Sequence, residues 1–314
     1  MSVVLVTPAG YEPLRRTISH LRAQTVMDRL EIIIVAPEAA RLDLREAEEA
    51  GFQSVRLVEA SRLNSLAAAV AAGIRQARAE VVALGEDHSF PDPGWAAALI
   101  AAHRQPWAAV GPVVANINPG DLISWANLLI EYYPFLEPVT GGVRDLLPGH
   151  NSAYKRSLLL DYGEKLEGLL EAETVLHWDL RDRGHRLYLE PAARTRHLKA
   201  LPLSCWIPLR FYCGRQFAAS RARNRGWSLS LRLFYSLSAP LIPLVRLVRA
   251  LRRLELGELP PGLRWRLLAA MIFMLLLDGT GEMVGYVLGP GRAKEKLTHL
   301  DFQVHRYLRV IIPA

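Results

Sequence analysis

Glu80-Val81-Val82-Ala83-Leu84-Gly85-Glu86-Asp87-His88-Ser89-Phe90-Pro91-Asp92-Pro93-Gly94-Trp95 joins a short apolar run to three adjacent ionisable side chains and a proline-rich turn. Val81 to Leu84 has no polar alternation, which predicts a strand buried on both faces, as in a parallel sheet. Glu86, Asp87 and His88 then stand just beyond its carboxyl end, where open α/β sheets collect their ligands. Pro91 to Gly94 is a turn that starts a helix running through His103. Three ionisable groups crowded at a strand end call for a counter-charge, and carboxylate oxygen with imidazole nitrogen is a donor set for a divalent ion such as Mn²⁺ or Mg²⁺. A solvated polar turn would carry the same tripeptide, so the flanking sequence has to decide.

Outward from this stretch the pattern repeats. Val3 to Val6, Glu31 to Val35 and Val55 to Val58 are further short β-branched runs, and Ala108 to Val114 is another. Leu14, Ile18, Leu21 and Val26 recur near helical spacing, and the Ala-rich segment Asn64 to Ala79 predicts a second helix. Strand and helix alternate, which predicts an α/β fold with a mostly parallel sheet flanked by helices. The ligand-facing ends of the strands are then Thr7 to Glu12, Ala36 to Glu38 and Gly85 to Ser89. Residues 116–148, rich in Pro, Gly and aromatics, read as a loop and a helix over the site.

The chain changes character after Thr195. Residues 1–195 carry a net charge of −6, and residues 196–314 one of +13. The basic third contains the apolar run Leu233 to Val245, interrupted by Pro240 and Pro243, and the unbroken run Leu267 to Leu277, whose apolar character resumes after Asp278 and Glu282. Neither reaches the roughly 20 uninterrupted apolar residues of a spanning helix. Helices lying in a membrane interface, or a shallow re-entrant hairpin, fit better, with Arg side chains at the headgroups. Arg interleaved with aliphatic runs points to membrane and away from nucleic acid. Gly281, Gly285 and Gly289 have the small-x-x-x-small spacing that permits close helix packing. Cys205 and Cys213 form no disulfide framework or metal spacing, and no charged segment precedes the first strand, so a cytoplasmic catalytic half is expected.

The run Glu86 to Trp95 resembles the acidic metal motif of family 2 glycosyltransferases, written D-x-D and followed by a proline-containing turn and an aromatic; here Glu86 takes the first acidic position and His88 the last. Ser2-Val3-Val4-Leu5-Val6-Thr7-Pro8 is similar to that family's first strand and nucleotide loop, and Gly149-His150-Asn151-Ser152-Ala153-Tyr154-Lys155-Arg156 to its acceptor-side segment. Glu171-Ala172-Glu173-Thr174-Val175-Leu176 with Leu180-Arg181-Asp182-Arg183-Gly184-His185 matches its E-D-x-x-L…L-R-x-x-G pattern. The resemblance covers residues 2 to about 200. It implies a GT-A-like catalytic domain over 1–200 and leaves 201–314 as the basic, apolar helical region that associates with membrane.

The resemblance implies an inverting, metal-dependent glycosyltransferase of the bacterial membrane-associated type, moving a sugar from a nucleotide-sugar to an acceptor hydroxyl on a glycan or a lipid-linked molecule at the cytoplasmic face of the membrane. Glu173 falls at the catalytic base. Glu86, Asp87, His88 and His197 form the expected set for Mn²⁺ or Mg²⁺, His197 by analogy with relatives that carry D-x-H. Thr7, Pro8, Glu12, Glu38, Glu86 and Asp87 are the expected donor-binding residues, and His150, Asn151 and Glu171 the acceptor-side ones. Arg210, Arg215 and Arg221 lie where basic residues often grip the departing diphosphate. The chain departs from the family at Val35-Ala36-Pro37-Glu38, which replaces base-reading aspartates, and at Val70-Ala71, which replaces an Arg-Asn pair and leaves Arg62 and Asn64 upstream. Two other readings share the fold. One is a nucleotidyltransferase, disfavoured because Thr7-Pro8-Ala9-Gly10-Tyr11 is no Gly-rich cationic loop; the other is a degenerate membrane-bound sugar-binding scaffold.

Overall fold

The computed structural model describes residues 1–7, 10–37, 51–60, 65–198, 202–252 and 261–300. Four of the apolar runs form β1 (Ser2–Val6), β2 (Glu31–Ala36), β3 (Ser54–Glu59) and β4 (Val81–Leu84), side by side in the order β3-β2-β1-β4. Each neighbouring pair is parallel, with Val4 opposite Ile33 on one side and Leu84 on the other. Every residue of β1 and β2 is buried, because helices cover both faces. Toward one face, Ile18 and Leu21 of α1 (Arg15–Arg22) and Trp95 and Leu99 of α3 (Trp95–Ala102) pack with Val3, Leu5, Ile32 and Ile34. Side chains alternate across a strand, so Val4 and Val35 face the other way, toward α2 (Leu66–Gln76). That helix comes so close that a Cβ at Gly73 would lie 2.4 Å from Val4 Cγ1. Its start is set by Ser65, whose hydroxyl accepts from the Ala68 N–H at 3.0 Å.

Beyond β4 the sheet becomes antiparallel. The order continues β4-β8-β6-β9-β5, where β5 is Ser89–Pro91, β6 Ala109–Asn116, β8 Ala153–Lys155 and β9 Leu187–His197; β7 (Gly142–Arg144) pairs with β9. The β4–β8, β6–β8, β5–β9 and β7–β9 pairs all run antiparallel. The sheet is therefore mixed and GT-A-like, with the parallel register confined to the nucleotide-loop half. Between β8 and β9 the chain forms α5 (Arg156–Leu160), α6 (Lys165–Leu170) and α7 (Glu173–Asp182).

The chain divides into two compact units, Met1–Ala115 with Phe135–His197, and Asn116–Pro134 with Leu198–Ala314. The helix expected within 116–148 is α4 (Leu122–Tyr132), and it is grouped with the C-terminal helices. Those are α8 (Leu203–Asn224), α9 (Leu229–Ser238), α10 (Ile242–Leu251) and α11 (Pro261–Leu288). Pro240 sits in the single 3-10 turn Ala239–Leu241 and Pro243 in the first turn of α10, so α9 and α10 run on as one helical stretch. Asp278 and Glu282, which interrupt the apolar run in the sequence, are buried on the inner side of one continuous 28-residue helix. Arg210 bridges Asp278 and Glu131, the latter at 2.6 Å, and Arg246 reaches Asp278 at 2.8 Å. With its acidic side chains turned inward, α11 runs on unbroken past the point where the sequence is interrupted. By length and composition alone, Leu229–Leu251 and Arg264–Leu288 would each be enough to cross a membrane. Gly281 and Gly285 press on α8, whereas Gly289, with φ +72°, leaves the helical conformation just after α11.

Candidate active site

The turn after β4 is pinned from three directions. The Gly85 N–H donates to the Val4 carbonyl at 2.9 Å, and a Cβ there would lie 2.6 Å from Leu5 Cδ2, so any side chain at 85 would have to displace the buried Leu5. Thr17 of α1 donates its hydroxyl to the Glu86 carbonyl at 3.0 Å. From β8's side, the Asn151 N–H donates to the Leu84 carbonyl at 2.6 Å, and its side-chain amide donates to Ser89 Oγ at 2.6 Å. Asn151 holds φ 56°, a left-handed conformation that Asn tolerates better than most residues, and Trp95 locks it by donating Nε1–H to its carbonyl at 3.1 Å.

These restraints place Glu86 among three imidazoles. His150 Nδ1 donates to Glu86 Oε1 at 2.7 Å. Oε2 faces His88 Nε2 at 3.6 Å and His197 Nε2 at 3.4 Å, buried and without a well-formed hydrogen bond to either. His197 is brought there by the β5–β9 ladder, in which it pairs with Ser89. The His88 and His197 rings meet edge to face, with centroids 5.1 Å apart. Burial alone would raise the Glu86 carboxyl, but the imidazoles of His150 and His88, with His197, outweigh it and hold the group well below the ordinary carboxylate range.

The donor set fits a divalent cation. Glu86, His88 and His197 each offer one ligand atom, all within 4.8 Å of one another. His88 Nδ1 donates to Asp87 Oδ1 at 2.6 Å, so that whenever the ring is neutral the lone pair of its Nε2 faces Glu86 Oε2. Two acceptors facing each other in a buried place need a positive charge between them, either a proton or a metal ion. A carboxylate held against the far nitrogen of a histidine is also the usual outer-shell support of a metal-ligating imidazole. Asp87 itself is thus on His88 rather than among the three converging donors.

The remaining expected residues are distributed as follows. Glu173 opens α7, where a carboxylate suits the helix N-terminus, and it packs over Gly149: a Cβ at 149 would lie 2.9 Å from Glu173 Cδ. Gly149 adjoins His150, so one turn carries both the Glu173 contact and the bond to Glu86. Glu171 is half-buried at the end of α6. Thr7 is buried, donating its N–H to the Val35 carbonyl at 2.9 Å and its hydroxyl to the Gly10 carbonyl at 2.5 Å. Glu12 is exposed and pairs with Arg15 at 3.1 Å. Pro8, Glu38, Arg62 and Asn64 lie outside the described residues. The expected diphosphate-binding arginines are engaged within the helical unit: Arg210 with Asp278 and Glu131, Arg215 with the Gly289 carbonyl at 2.9 Å, and Arg221 with the Tyr286 hydroxyl at 3.1 Å. Thr17 and Ser89, which hold the turn, carry no sequence signal that would single them out.

A mixed, GT-A-like sheet flanked by helices, with an acidic and histidine cluster beyond β4, defines the fold class. Residues 2–163, more than half of the chain, match Glycosyl transferase family 2, and the chain belongs to that family. Among solved structures it is similar to the mannosyltransferase PcManGT from Pyrobaculum calidifontis in complex with GDP-Man and Mn²⁺, at 15% identity and a TM-score of 0.49, covering 99% of this chain and 85% of that one. TarS 1-349 from S. aureus in complex with UDP is similar at 14% identity and a TM-score of 0.47, covering 94% and 91%. GalNAc-T7 with UDP, GalNAc and Mn²⁺ is similar at 16% identity and a TM-score of 0.47, over 72% of this chain and 51% of that one, so this chain spans about half its length. No curated protein matches the sequence.

Proposed function

We propose that this chain is an inverting glycosyltransferase that moves a sugar from a nucleotide-sugar to an acceptor hydroxyl of a saccharide or lipid-linked molecule. The observation that carries the reading is the buried Glu86 Oε2, aimed at two histidine nitrogens and left without a well-formed hydrogen bond. Glu86, His88 and His197 would hold Mn²⁺ or Mg²⁺, and the imidazole content favours Mn²⁺. Bound there, the ion supplies Lewis-acid neutralisation of the leaving diphosphate. Asp87 fixes the His88 ring, and His150 holds the other Glu86 oxygen, so the carboxylate cannot rotate.

Glu173 accepts the proton of the acceptor hydroxyl. The freed oxygen attacks the sugar's anomeric carbon on the face opposite the diphosphate. The bond from that carbon to the diphosphate oxygen breaks, and its electron pair leaves with the nucleotide. Thr7, on the loop after β1, would help hold the donor, and His150 and Glu171 would face the acceptor.

The test is transfer or hydrolysis from a panel of nucleotide-sugars, comparing the native chain with Glu173→Gln and reading the product's anomeric configuration by NMR. Inverted product with the native chain, and a loss of at least 100-fold in kcat for the variant, are expected. Equal turnover by the two would reject Glu173 as the base, and retained configuration would reject the single displacement.

A further inference from the structure

Both sides of α11 are largely apolar, with Leu267, Met271, Met274, Leu275 and Tyr286 buried on its inner side. The carboxylates Asp278 and Glu282 are buried, while Trp265, Ile272, Phe273 and Leu276 are exposed, Trp265 at 73%. These four fall at helical spacing, so they form one stripe. The α9–α10 segment presents a second stripe: Phe234, Leu237, Leu241, Leu244 and Val248 are exposed, Leu237 at 79%. Its spacing carries straight through the proline turn. An aqueous surface rarely bears contiguous apolar faces of this kind. Arginines stand at their ends: Arg223 and Arg225 before α9, Arg249 and Arg252 at the end of α10, and Arg266 at the start of α11, all exposed.

We infer that α9, α10 and the outer stripe of α11 lie in the plane of an anionic lipid surface, with the apolar stripes in the acyl boundary and the arginines at the headgroups. Two occupants could cover such faces, lipid or a second copy of the chain, and charge chooses between them. Residues 196–314 carry a net charge of +13, which repels a second copy and attracts an anionic surface. The in-plane orientation follows from α11's two sides. Its inner side packs on α8, holds the Arg210–Asp278–Arg246 bridge and buries Glu282, so only its outer side suits hydrocarbon. This inference is independent of the transfer chemistry, because it is read by binding alone.

The test is co-sedimentation of the full chain with vesicles of phosphatidylcholine, and of phosphatidylcholine with phosphatidylglycerol, at low and high salt. Binding should be at least tenfold tighter to the anionic vesicles and weaken with salt. Leu237→Asp with Leu241→Asp, both solvent-facing, should lower it at least tenfold with an unchanged melting temperature. Arg249→Glu with Arg266→Glu keeps the apolar faces and should abolish the anionic preference alone, so a misfolded first variant does not end the test. Orientation is read by labelling Arg266→Cys and Leu288→Cys on intact vesicles with an impermeant maleimide, against the native chain as background. Reaction of both supports the in-plane placement, and protection of one end overturns it in favour of a span. Failure to bind either vesicle, with a dimer in solution that Leu237→Asp dissociates, would overturn the lipid assignment.

Discussion

Gly281→Ala is the substitution whose sign most sharply divides two views of the C-terminal helices. In an isolated helix, alanine is more favourable than glycine by about 1 kcal/mol, so the change should stabilise α11 if that face touches nothing. In the structure a Cβ at 281 would lie 2.1 Å from the Phe211 carbonyl oxygen and 2.9 Å from the Arg215 nitrogen. Both obstacles belong to the backbone of α8 and cannot swing aside. Restoring an ordinary contact requires the helices to separate by about 1 Å, and overpacking of this kind costs about 1–3 kcal/mol, here toward the upper end. The net effect is then a loss of about 2 kcal/mol, or roughly 4–8 °C in melting temperature for a unit of this size. Thermal unfolding followed by circular dichroism measures it. Gly285→Ala meets the Arg215 carbonyl at 2.3 Å, so one separation relieves both clashes, and the double variant should lose less than the two singles added. A melting temperature raised by Gly281→Ala would refute the close α8–α11 contact.

The unit bearing the site makes further predictions. Asp87→Asn removes the carboxylate that orients His88 and should weaken Mn²⁺ binding about 10–100-fold, read by calorimetric titration, while the metal-free melting temperature stays put; unaltered affinity would make Asp87 a bystander. Gly149→Ala drives a methyl into the Glu173 carboxylate and should lower kcat by about 100-fold through misplacement of the base, with Mn²⁺ affinity retained; full activity would disconnect Glu173 from the chemistry. His177 is buried and hydrogen-bonded through Nε2 to the Tyr154 hydroxyl at 2.9 Å, and burial lowers it from 6.5 to about 3. Above pH 6.5 neither the folded nor the unfolded chain protonates it. Below that only the unfolded chain does, so from pH 7 to pH 5 the fold loses about 2 kcal/mol. His177→Gln should flatten that limb in denaturant titrations, and an unchanged pH dependence would show that the residue charges inside the fold.

The parallel half of the sheet was readable because β1, β2 and β4 are covered on both faces and so, after Ser2 and Glu31 at the starts of β1 and β2, consist of apolar residues. Of the antiparallel half, β6 was read as Ala108 to Val114, whereas β5, β7 and β8 have three residues each, too few for any periodicity to register. The same limit hid part of the site. Glu86 and His88 announce themselves by following β4, but His150 reaches Glu86 only because β8 returns antiparallel to β4, pairing Ala83 with Ala153. Asn151 read as a residue for substrate; it is buried in a left-handed turn, bonded to Ser89 and Trp95. On the helical side, the spacing of Gly281, Gly285 and Gly289 suggested a contact without its partner. Two of the three are used, against a helix whose own Gly214 would place a Cβ 2.1 Å from the Asp278 carbonyl oxygen.

The β5–β9 ladder has the properties of a frame that can be misread. Thr195 and His197 point inward and are buried, while Arg196 between them points out and pairs with Asp92 at 2.9 Å. Because strand side chains alternate faces, a slip of one residue exchanges the whole set. Inserting a single residue between Thr195 and Arg196, with the earlier part of β9 held in register, would carry Arg196 to the place of His197 and set a permanent guanidinium charge beside Glu86, where it would repel a divalent cation. The alignment of a three-residue strand thus decides the polarity of the centre, which makes insertions and deletions there far more damaging than any conservative substitution.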